Sequence, residues 1–123
     1  GSTFGGNPLA AAVARVALRK LSAPALLEHV GAQGLHLQLG LERLGNSLGI
    51  FSQVRGRGLM LGAVLAPAYT GRAPEILDLA ANEGLLLLQA GADVLRFVPA
   101  LNIPTDDIDD GLARLERALV GMI

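Results

Sequence analysis

Apolar residues recur at helical spacing through the first 21 residues, after a short polar start. Asn7 is a favourable N-cap, and Pro8 suits the first helical position because an N–H group is not needed there. The apolar positions of this segment are Leu9, Val13 and Val16. The pattern predicts a first helix over residues 8–21.

A second run of apolar residues at steps of three and four predicts a long second helix, capped by Ser22 and with Pro24 in its first turn. The members of this seam are Leu27, Val30, Gly34, Leu37, Leu41, Leu44 and Leu48. Gly45-Asn46 is a plausible end for the helix. Glycine is unfavourable inside a helix, so we expect another backbone to approach the glycines of this segment closely. These glycines are Gly31, Gly34 and Gly40.

The second half of the chain alternates short apolar runs, typical of strands, with two helical segments. The predicted strands cover residues 50–54, 59–65, 85–88 and 94–98. The first two should form a hairpin through Arg55–Gly58, followed by a loop over residues 67–71. One helix is predicted over residues 74–83, ended by Gly84, and a final helix is capped by Thr105. The core face of that final helix would be Ile108, Leu112, Leu115 and Leu119.

This order of elements predicts an α+β fold in which a small, largely antiparallel sheet packs against helices. The 123 residues suffice for about one domain, and 51% of them are hydrophobic, so a substantial core is available. Only 3% are aromatic, so that core must be built mainly from aliphatic side chains.

Charge and composition exclude several classes of function. The formal net charge is −1 and the ten Lys and Arg residues are not clustered, which argues against a nucleic-acid-binding surface. No uninterrupted apolar run approaches the roughly 18 residues that a membrane span requires. Because the chain has no cysteine, it has no disulfides and no thiolate metal site. We therefore expect no nucleic-acid or membrane partner.

The first ten residues, GSTFGGNPLA, carry the clearest candidate chemistry. Ser2 and Thr3 offer neutral hydroxyl donors, and Gly5-Gly6 would let a ligand approach the main chain closely. A predicted helix begins directly afterwards, and such a loop suits a phosphate group. The same residue types also form ordinary turns, so spacing alone leaves both interpretations open.

A charged residue, Arg96, lies in the middle of the apolar strand Val94–Val98. An unpaired charge is costly if it is buried there. Two structural interpretations are open: an edge-strand arginine with its head in solvent, or an arginine paired with a buried aspartate.

The glycines that follow Val54 resemble a nucleotide-binding loop only superficially. That motif requires a strand before it and a helix after it, whereas the residues after Gly58 have the pattern of a strand. We therefore interpret Gly56, Gly58 and Gly62 as parts of a hairpin, with Arg55 and Arg57 as solvated turn charges.

Two further groups of polar residues are better explained without a metal. The acidic residues between positions 106 and 110 lack the spacing of a calcium loop and suit the first turn of a helix, where Asp110 can pair with Arg114. His29 and His36 share a helix face that carries no carboxylate, so a surface or interface role is favoured over a metal site.

The first segment, GSTFGGNPLA, resembles one that class III (ornithine-type) pyridoxal-phosphate aminotransferases carry late in their large domain. Three later stretches resemble the same family in the same order. They are Val54-Arg-Gly-Arg-Gly-Leu-Met-Leu-Gly62, Val94-Leu-Arg-Phe-Val-Pro-Ala100 and Asp106-Asp-Ile-Asp-Asp-Gly-Leu112. The resemblance covers essentially the whole chain, is strongest to the acetylornithine and succinylornithine branch, and implies the C-terminal portion of such a protein.

The resemblance also implies an organisation and a set of roles. Residues 1–21 would end the large domain, with a cofactor-phosphate loop and a long linking helix, and residues 22–123 would form the C-terminal small domain of a fold-type I enzyme. The family's threonine at this motif donates to the cofactor phosphate of the neighbouring subunit, so Thr3 is expected to bind pyridoxal 5'-phosphate across a homodimer interface. Ser2 and Arg96 are expected to bind substrate. The family's arginine at the position of Arg96 binds a substrate carboxylate, to which a planar guanidinium can donate two parallel hydrogen bonds.

The implied reaction is transfer of the ω-amino group of N-acetylornithine, or N-succinylornithine, to 2-oxoglutarate in arginine biosynthesis or catabolism in the cytoplasm. Lys20 is the only lysine and does not match the family's Schiff-base motif, so we expect no catalytic residue in this chain and no activity from it alone. The alternatives are another class III ω-aminotransferase (ornithine, 4-aminobutyrate), a non-catalytic association module that uses the seam of the second helix, and an unrelated phosphate-binding domain.

Overall fold

The computed structural model describes residues 1–123 and contains four α-helices, a four-stranded sheet and a short 3₁₀ helix at Pro67–Tyr69. The helices are α1 (Pro8–Leu21), α2 (Pro24–Leu48), α3 (Ala73–Asn82) and α4 (Thr105–Val120). The strands are β1 (Phe51–Arg57), β2 (Met60–Leu65), β3 (Leu88–Gln89) and β4 (Val94–Phe97). The predicted α+β class, a small antiparallel sheet packed against helices, is confirmed.

The strand order is β1-β2-β4-β3, and every neighbouring pair is antiparallel. β1 and β2 form the predicted hairpin, but the turn is Gly58-Leu59 and not Arg55–Gly58. Gly58 has a φ of 54°, a left-handed value that glycine tolerates at the first position of a tight two-residue loop. Arg55 and Arg57 therefore lie within β1, and their interpretation as turn charges is wrong.

The leucine run at residues 85–88 is not the strand that its composition predicts. Only Leu88 and Gln89 pair with β4. Leu85 and Leu87 are half-buried and pack against the core, whereas Leu86 is 89% exposed. The run is apolar because it covers one end of the core, and most of it has no strand partner.

One hydrophobic core lies between a single face of the sheet and the helices α2, α3 and α4. Its largest fully buried members are Leu41, Ile50, Ile76, Leu95, Leu115 and Leu119. Complete burial of such a side chain contributes about 1.5–3 kcal/mol each. The predicted core face of α4 is confirmed: Ile108, Leu112, Leu115 and Leu119 are all buried.

Two predicted helix caps are wrong because each hydroxyl bonds elsewhere. The hydroxyl of Ser22 donates to the carbonyl oxygen of Leu18 at 2.8 Å, so Ser22 ends α1, and Ala23 stands at the N-cap of α2 without a side-chain bond. The hydroxyl of Thr105 accepts a hydrogen bond from the side-chain amide of Gln33 at 3.0 Å and does not cap α4.

The second helix also continues past its predicted end at Gly45-Asn46. It runs to Leu48 and ends at Gly49, which has a left-handed φ of 67° and donates its N–H to the carbonyl of Gly45. Gly45 is buried against Phe51, so a glycine at this position makes room for close packing and does not end the helix.

The glycines inside α2 have different surroundings. At Gly34, a side chain would overlap the backbone carbonyl of Gly58, so the predicted close approach of another backbone is confirmed there. At Gly40, the neighbour is the side chain of Leu112 and not a backbone. Nothing lies within 4 Å of the position that a side chain at Gly31 would take, so this chain provides no close neighbour at that glycine.

Helix α1 has the predicted extent but contributes no buried residue. Its apolar residues Leu9, Val13 and Val16 are 75%, 61% and 44% exposed. It is therefore the part of the chain that depends least on the core. None of the helices combines the length and the apolar character that crossing a bilayer would need.

Candidate functional site

The face of the sheet away from the helices carries a row of residues at the same level on all four strands. Arg55 on β1 pairs with Gly62 on β2, Gly62 pairs with Arg96 on β4, and Arg96 pairs with Leu88 on β3. Directly paired residues lie on one face of a sheet. The neighbours of Arg96 along β4, which are buried beneath the helices, are Leu95 and Phe97. The row therefore lies on the opposite side, which we call the open face.

Arg96 is exposed, and its guanidinium makes no ion pair within the chain. No polar or charged residue is buried anywhere in the chain. The interpretation that Arg96 pairs with a buried aspartate is therefore wrong. Its five N–H donors are free for solvent or for a ligand.

Two cavities meet at Arg96. The first has a volume of about 330 Å³ and is largely apolar, bounded by the leucine run 85–88 and by α4. The second has a volume of about 320 Å³, lies on the open face, and is lined by both Arg55 and Arg96 with Gly62 between them. Both volumes are at the lower end of the range of small-molecule sites.

The charge of the open face is entirely positive. The four strands contain three charged residues, and all are arginines: Arg55, Arg57 and Arg96. None of them forms an ion pair with an acidic side chain. Guanidinium groups bind carboxylates in a bidentate geometry, so this face suits an anionic ligand with carboxylate groups.

The N-terminal loop is the second candidate site. Ser2 and Thr3 are exposed, and the loop closes through hydrogen bonds from the N–H of Gly5 to the carbonyl of Ser2 at 3.3 Å and from the N–H of Asn7 to the carbonyl of Phe4 at 3.2 Å. The two hydroxyls are available to a ligand.

The first turn of α1 offers a ligand no free N–H group. The side-chain oxygen of Asn7 accepts from the N–H groups of Leu9 at 3.0 Å and Ala10 at 3.2 Å, which confirms Asn7 as the cap. The carbonyl of Asn7 accepts from Ala11, and Pro8 has no N–H. A phosphate at this loop would depend on the hydroxyls and the loop amides, with the helix dipole as additional support.

The two candidate sites are not brought together within this chain. Neither Ser2 nor Thr3 lines either of the cavities at Arg96. The chain alone therefore does not assemble one site from all three predicted residues.

The two histidines join α2 to α4 and to the loop before α4, and one aspartate forms an ion pair within α4. The Nε2–H of His29 donates to the carbonyl of Ile103 at 2.9 Å, and His36 Nε2 lies 2.6 Å from Asp109 Oδ1 on α4. The predicted ion pair of Asp110 with Arg114 forms at 2.6 Å. No three histidine or acidic side chains come together in a group that could hold a metal ion.

The sequence model of the family described as Aminotransferase class-III matches residues 1–119 of this chain. This chain belongs to the class III aminotransferase family. It is 64% identical over 123 residues to the acetylornithine aminotransferase of Xanthomonas campestris pv. campestris, covering 100% of this chain and 30% of that relative. It is 42% identical over 123 residues to the Pseudomonas aeruginosa protein named succinylornithine transaminase/acetylornithine aminotransferase. That match covers 100% of this chain and 30% of that relative.

A solved class III structure has the same fold. The N-acetylornithine aminotransferase from Stenotrophomonas maltophilia K279a superimposes with a TM-score of 0.90 at 56% identity, covering 96% of this chain and 32% of that chain. The expected fold, the small domain of a fold-type I aminotransferase, is confirmed. This chain spans about 30% of the length of the curated relatives that it matches.

Sequence reasoning passed over Arg55 as a candidate. Its place in the sequence suggested a turn, because glycines follow it at two of the next three positions. Its relation to Arg96 depends on the register of β1 on β2 and of β2 on β4, which joins residues 41 positions apart. Only Arg96 carried a signal in the sequence, because it interrupts the apolar strand Val94–Phe97, whereas β1 around Arg55 is mostly polar.

Proposed function

We propose that the full-length protein containing this chain is a pyridoxal-phosphate-dependent aminotransferase of arginine metabolism. It would move the ω-amino group of N-acetylornithine to 2-oxoglutarate, with N-succinylornithine as a second donor. Family membership and the names of the relatives support this proposal. Because this chain covers 30% of the Xanthomonas relative, most of the active site would come from outside it.

The single structural observation that supports the proposal most directly is the unpaired, exposed Arg96 beside two cavities. Every proposed substrate carries an α-carboxylate. The guanidinium of Arg96 would hold that carboxylate through two parallel hydrogen bonds and so orient the rest of the molecule.

The N-terminal loop has donors that suit the phosphate of the cofactor. Thr3 would donate to the phosphate and Ser2 would contact substrate, since both hydroxyls are exposed and the N–H groups of Thr3 and Phe4 have no acceptor in the chain. When bound, pyridoxal phosphate supplies the carbonyl group that accepts and returns the amino group. Since this loop does not line the cavities at Arg96, we assign it to the cofactor of the neighbouring subunit in a homodimer.

We further propose that residues 1–21 end the large domain and that residues 22–123 form the small domain of this enzyme. The exposed apolar face of α1, which no element of this chain covers, supports that division. The Schiff-base lysine and the acidic partner of the pyridine nitrogen would come from the rest of the protein. The isolated chain, whose only lysine is the exposed Lys20 on α1, would then be inactive, and the enzyme would work in the cytoplasm.

The test is a steady-state assay of the full-length protein loaded with pyridoxal phosphate. It should form glutamate from 2-oxoglutarate only when N-acetylornithine or N-succinylornithine is present. Ornithine and 4-aminobutyrate, run in parallel, separate this branch from other ω-aminotransferases. If the protein prefers ornithine or 4-aminobutyrate, that compound is its amino donor in place of N-acetylornithine. If no donor yields glutamate, the proposal is contradicted.

The role of Thr3 has a separate test in the binding of pyridoxal phosphate to the apoenzyme. Thr3→Val removes one hydrogen bond to the charged phosphate, and we expect affinity to fall roughly 10- to 100-fold. Thr3→Ser keeps the hydroxyl and should stay within about 2-fold of the unaltered protein. The affinities are measured by equilibrium dialysis. If the unaltered protein, Thr3→Val and Thr3→Ser bind pyridoxal phosphate equally well, Thr3 is not part of the cofactor-phosphate site.

The structure disfavours the other classes of function. The middle of the seam that an association module would need for contact is buried within the chain: Leu37, Leu41 and Leu44 are 6%, 0% and 3% exposed, and only its first member, Leu27, is largely exposed, at 56%. The match of residues 1–119 to the class III family also excludes an unrelated phosphate-binding domain.

A further inference from the structure

We propose that His29 is a positioning residue for the candidate site, because it holds the β4–α4 loop, residues 98–104, against the cavity beside Arg96. The inference rests on the proposed function, since that function places the substrate carboxylate at Arg96. It adds to the site a residue of α2 that lines neither cavity itself.

The β4–α4 loop forms one wall of the apolar cavity at Arg96. This cavity of about 330 Å³ is lined by Arg96 and by three residues of the loop, Val98, Pro99 and Ile103. Arg96 itself is held from both sides, because β4 pairs there with β2 and with β3. A shift of the loop would therefore change the width of the cavity while Arg96 stays in place.

Few hydrogen bonds hold the loop. Pro99 and Pro104 have no N–H group to donate. Within the loop, the N–H of Ile103 donates to the carbonyl of Ala100 at 3.0 Å, and the carbonyl of Pro104 accepts the first bond of α4. The one hydrogen bond from a distant element is that of His29, whose Nε2–H donates to the carbonyl of Ile103 at 2.9 Å. A segment with so few bonds opens at a low free-energy cost, so the loss of one bond has a large relative effect.

The position of His29 suits a lasting contact with the loop. Its side chain is half-buried on α2, where water competes less for the carbonyl. A carbonyl oxygen only accepts, so the ring presents an Nε2–H, which a neutral tautomer and the imidazolium both provide. The side chain of Ile103 packs against the core and lines the cavity. The bond therefore fixes a residue that joins the loop to both.

A second histidine of α2 provides a matched control. His36 is also half-buried, but its Nε2 lies 2.6 Å from Asp109 Oδ1 on α4, and it makes no bond to the loop. Replacing either histidine by leucine removes one polar link between α2 and the C-terminal part of the chain. His36→Leu therefore separates a general loosening of α2 against α4 from a specific effect on the loop.

The experiment is calorimetric titration of the full-length, cofactor-loaded protein with pentanoate, a non-reacting probe. Pentanoate has a carboxylate for Arg96 and an alkyl chain for the apolar cavity. His29→Leu should weaken its binding roughly 3- to 10-fold, the effect of one lost hydrogen bond. His29→Gln keeps an N–H donor on a side chain of similar reach and should stay within about 2-fold of the unaltered protein. His36→Leu should leave pentanoate binding unchanged.

Limited proteolysis measures the loop directly. Leu101 is 41% exposed in the middle of the loop. Chymotrypsin cleavage after Leu101, followed by mass spectrometry, should be roughly 3- to 10-fold faster in His29→Leu, because the loop opens more often. His29→Gln and His36→Leu should be cleaved there at the rate of the unaltered protein.

The inference is overturned if the unaltered protein does not bind pentanoate, or if His29→Leu leaves either binding or cleavage unchanged. It is also overturned if His36→Leu has the same effects as His29→Leu, or if His29→Gln does not restore them. Neither measurement requires turnover. A protein that binds pentanoate but forms no glutamate with any donor would contradict the proposed function, whereas the titration and the proteolysis would still decide the role of His29.

Discussion

The two faces of the sheet are formed by the same strands but contain opposite kinds of residues. The face toward the helices is aliphatic and buried, with Leu61, Ala63 and Leu95 at 2%, 0% and 0% exposure. The open face has arginines at two of the four places in its central row and no side chain at a third. Because neighbouring residues of a strand point to opposite sides, the sequence can specify packing and ligand binding independently.

Three arginines on or beside the helices have acidic partners that the open-face arginines lack. Arg72, Arg114 and Arg117, on or beside the helices, lie 2.6–2.7 Å from acidic side chains. Arg55 and Arg96 on the open face have no such partner. The first group is paired within the chain, whereas Arg55 and Arg96 are left to solvent or to a ligand. Arg57 on the open face and Arg15, Arg19 and Arg43 on the helices are unpaired as well, so the lack of a partner does not by itself identify a binding arginine.

The largest expected effect is on the buried face. Leu95→Ala should lower the free energy of unfolding of this chain by about 2–5 kcal/mol, because it leaves a cavity in a fully buried position. Leu88→Ala on the open face, where the side chain is 56% exposed, should change it by less than about 0.5 kcal/mol. Urea denaturation measures both. Similar losses would mean that the open face is covered and that the two faces are not distinct.

The next effect is on the open face and concerns activity. Arg96→Gln in the full-length protein should lower kcat/KM for N-acetylornithine roughly 100-fold, since a charge-assisted bidentate contact is lost. Its free energy of unfolding should change by less than about 0.5 kcal/mol. Arg57→Gln is the control and should leave both quantities unchanged. A large loss of stability without a specific loss of activity would reverse the assignment of Arg96.

Much of this architecture follows from local pattern. The extent of α1, the core face of α4 and the hairpin of β1 and β2 were all predictable, because helical periodicity and strand alternation express burial directly. The leucine run 85–88 was not, since apolar composition cannot distinguish a paired strand from a segment that covers the core. The caps at Ser22 and Thr105 failed because their hydroxyls had competing partners.

The candidate site was predictable only residue by residue. Arg96 was recognisable as a charge in an apolar strand, and Thr3 as part of a motif. That Arg55 stands beside Arg96 depends on which strands pair and in what register, which is tertiary information. The separation of Thr3 from the cavities at Arg96 could likewise be known only from the folded chain.

The packing of the buried side can be tested within one helix. Gly34→Ala would place a methyl group against the carbonyl of Gly58, at the hairpin turn, and should cost about 1–3 kcal/mol of the free energy of unfolding. Gly31→Ala, three residues earlier and without a neighbour within 4 Å, should stabilise the chain by up to about 1 kcal/mol. Opposite signs in thermal or urea unfolding are the expected outcome. If both variants stabilise, α2 does not pack against the turn as described.

The smallest effect concerns a paired arginine, Arg72, and contrasts it with the unpaired ones. The Arg72 guanidinium donates to Glu75 at 2.7 Å and holds the pKa of that carboxyl below its ordinary value of 4.5. Since the folded-state pKa is lowered, the pair stabilises the chain above the unfolded-state pKa, and this contribution is lost as the pH falls through the folded-state pKa. An NMR titration should show the lowered pKa of Glu75, and Arg72→Gln should return it to the ordinary range. An unchanged pKa in that variant would mean that the ion pair does not persist in solution, and its contrast with the unpaired arginines of the open face would no longer hold.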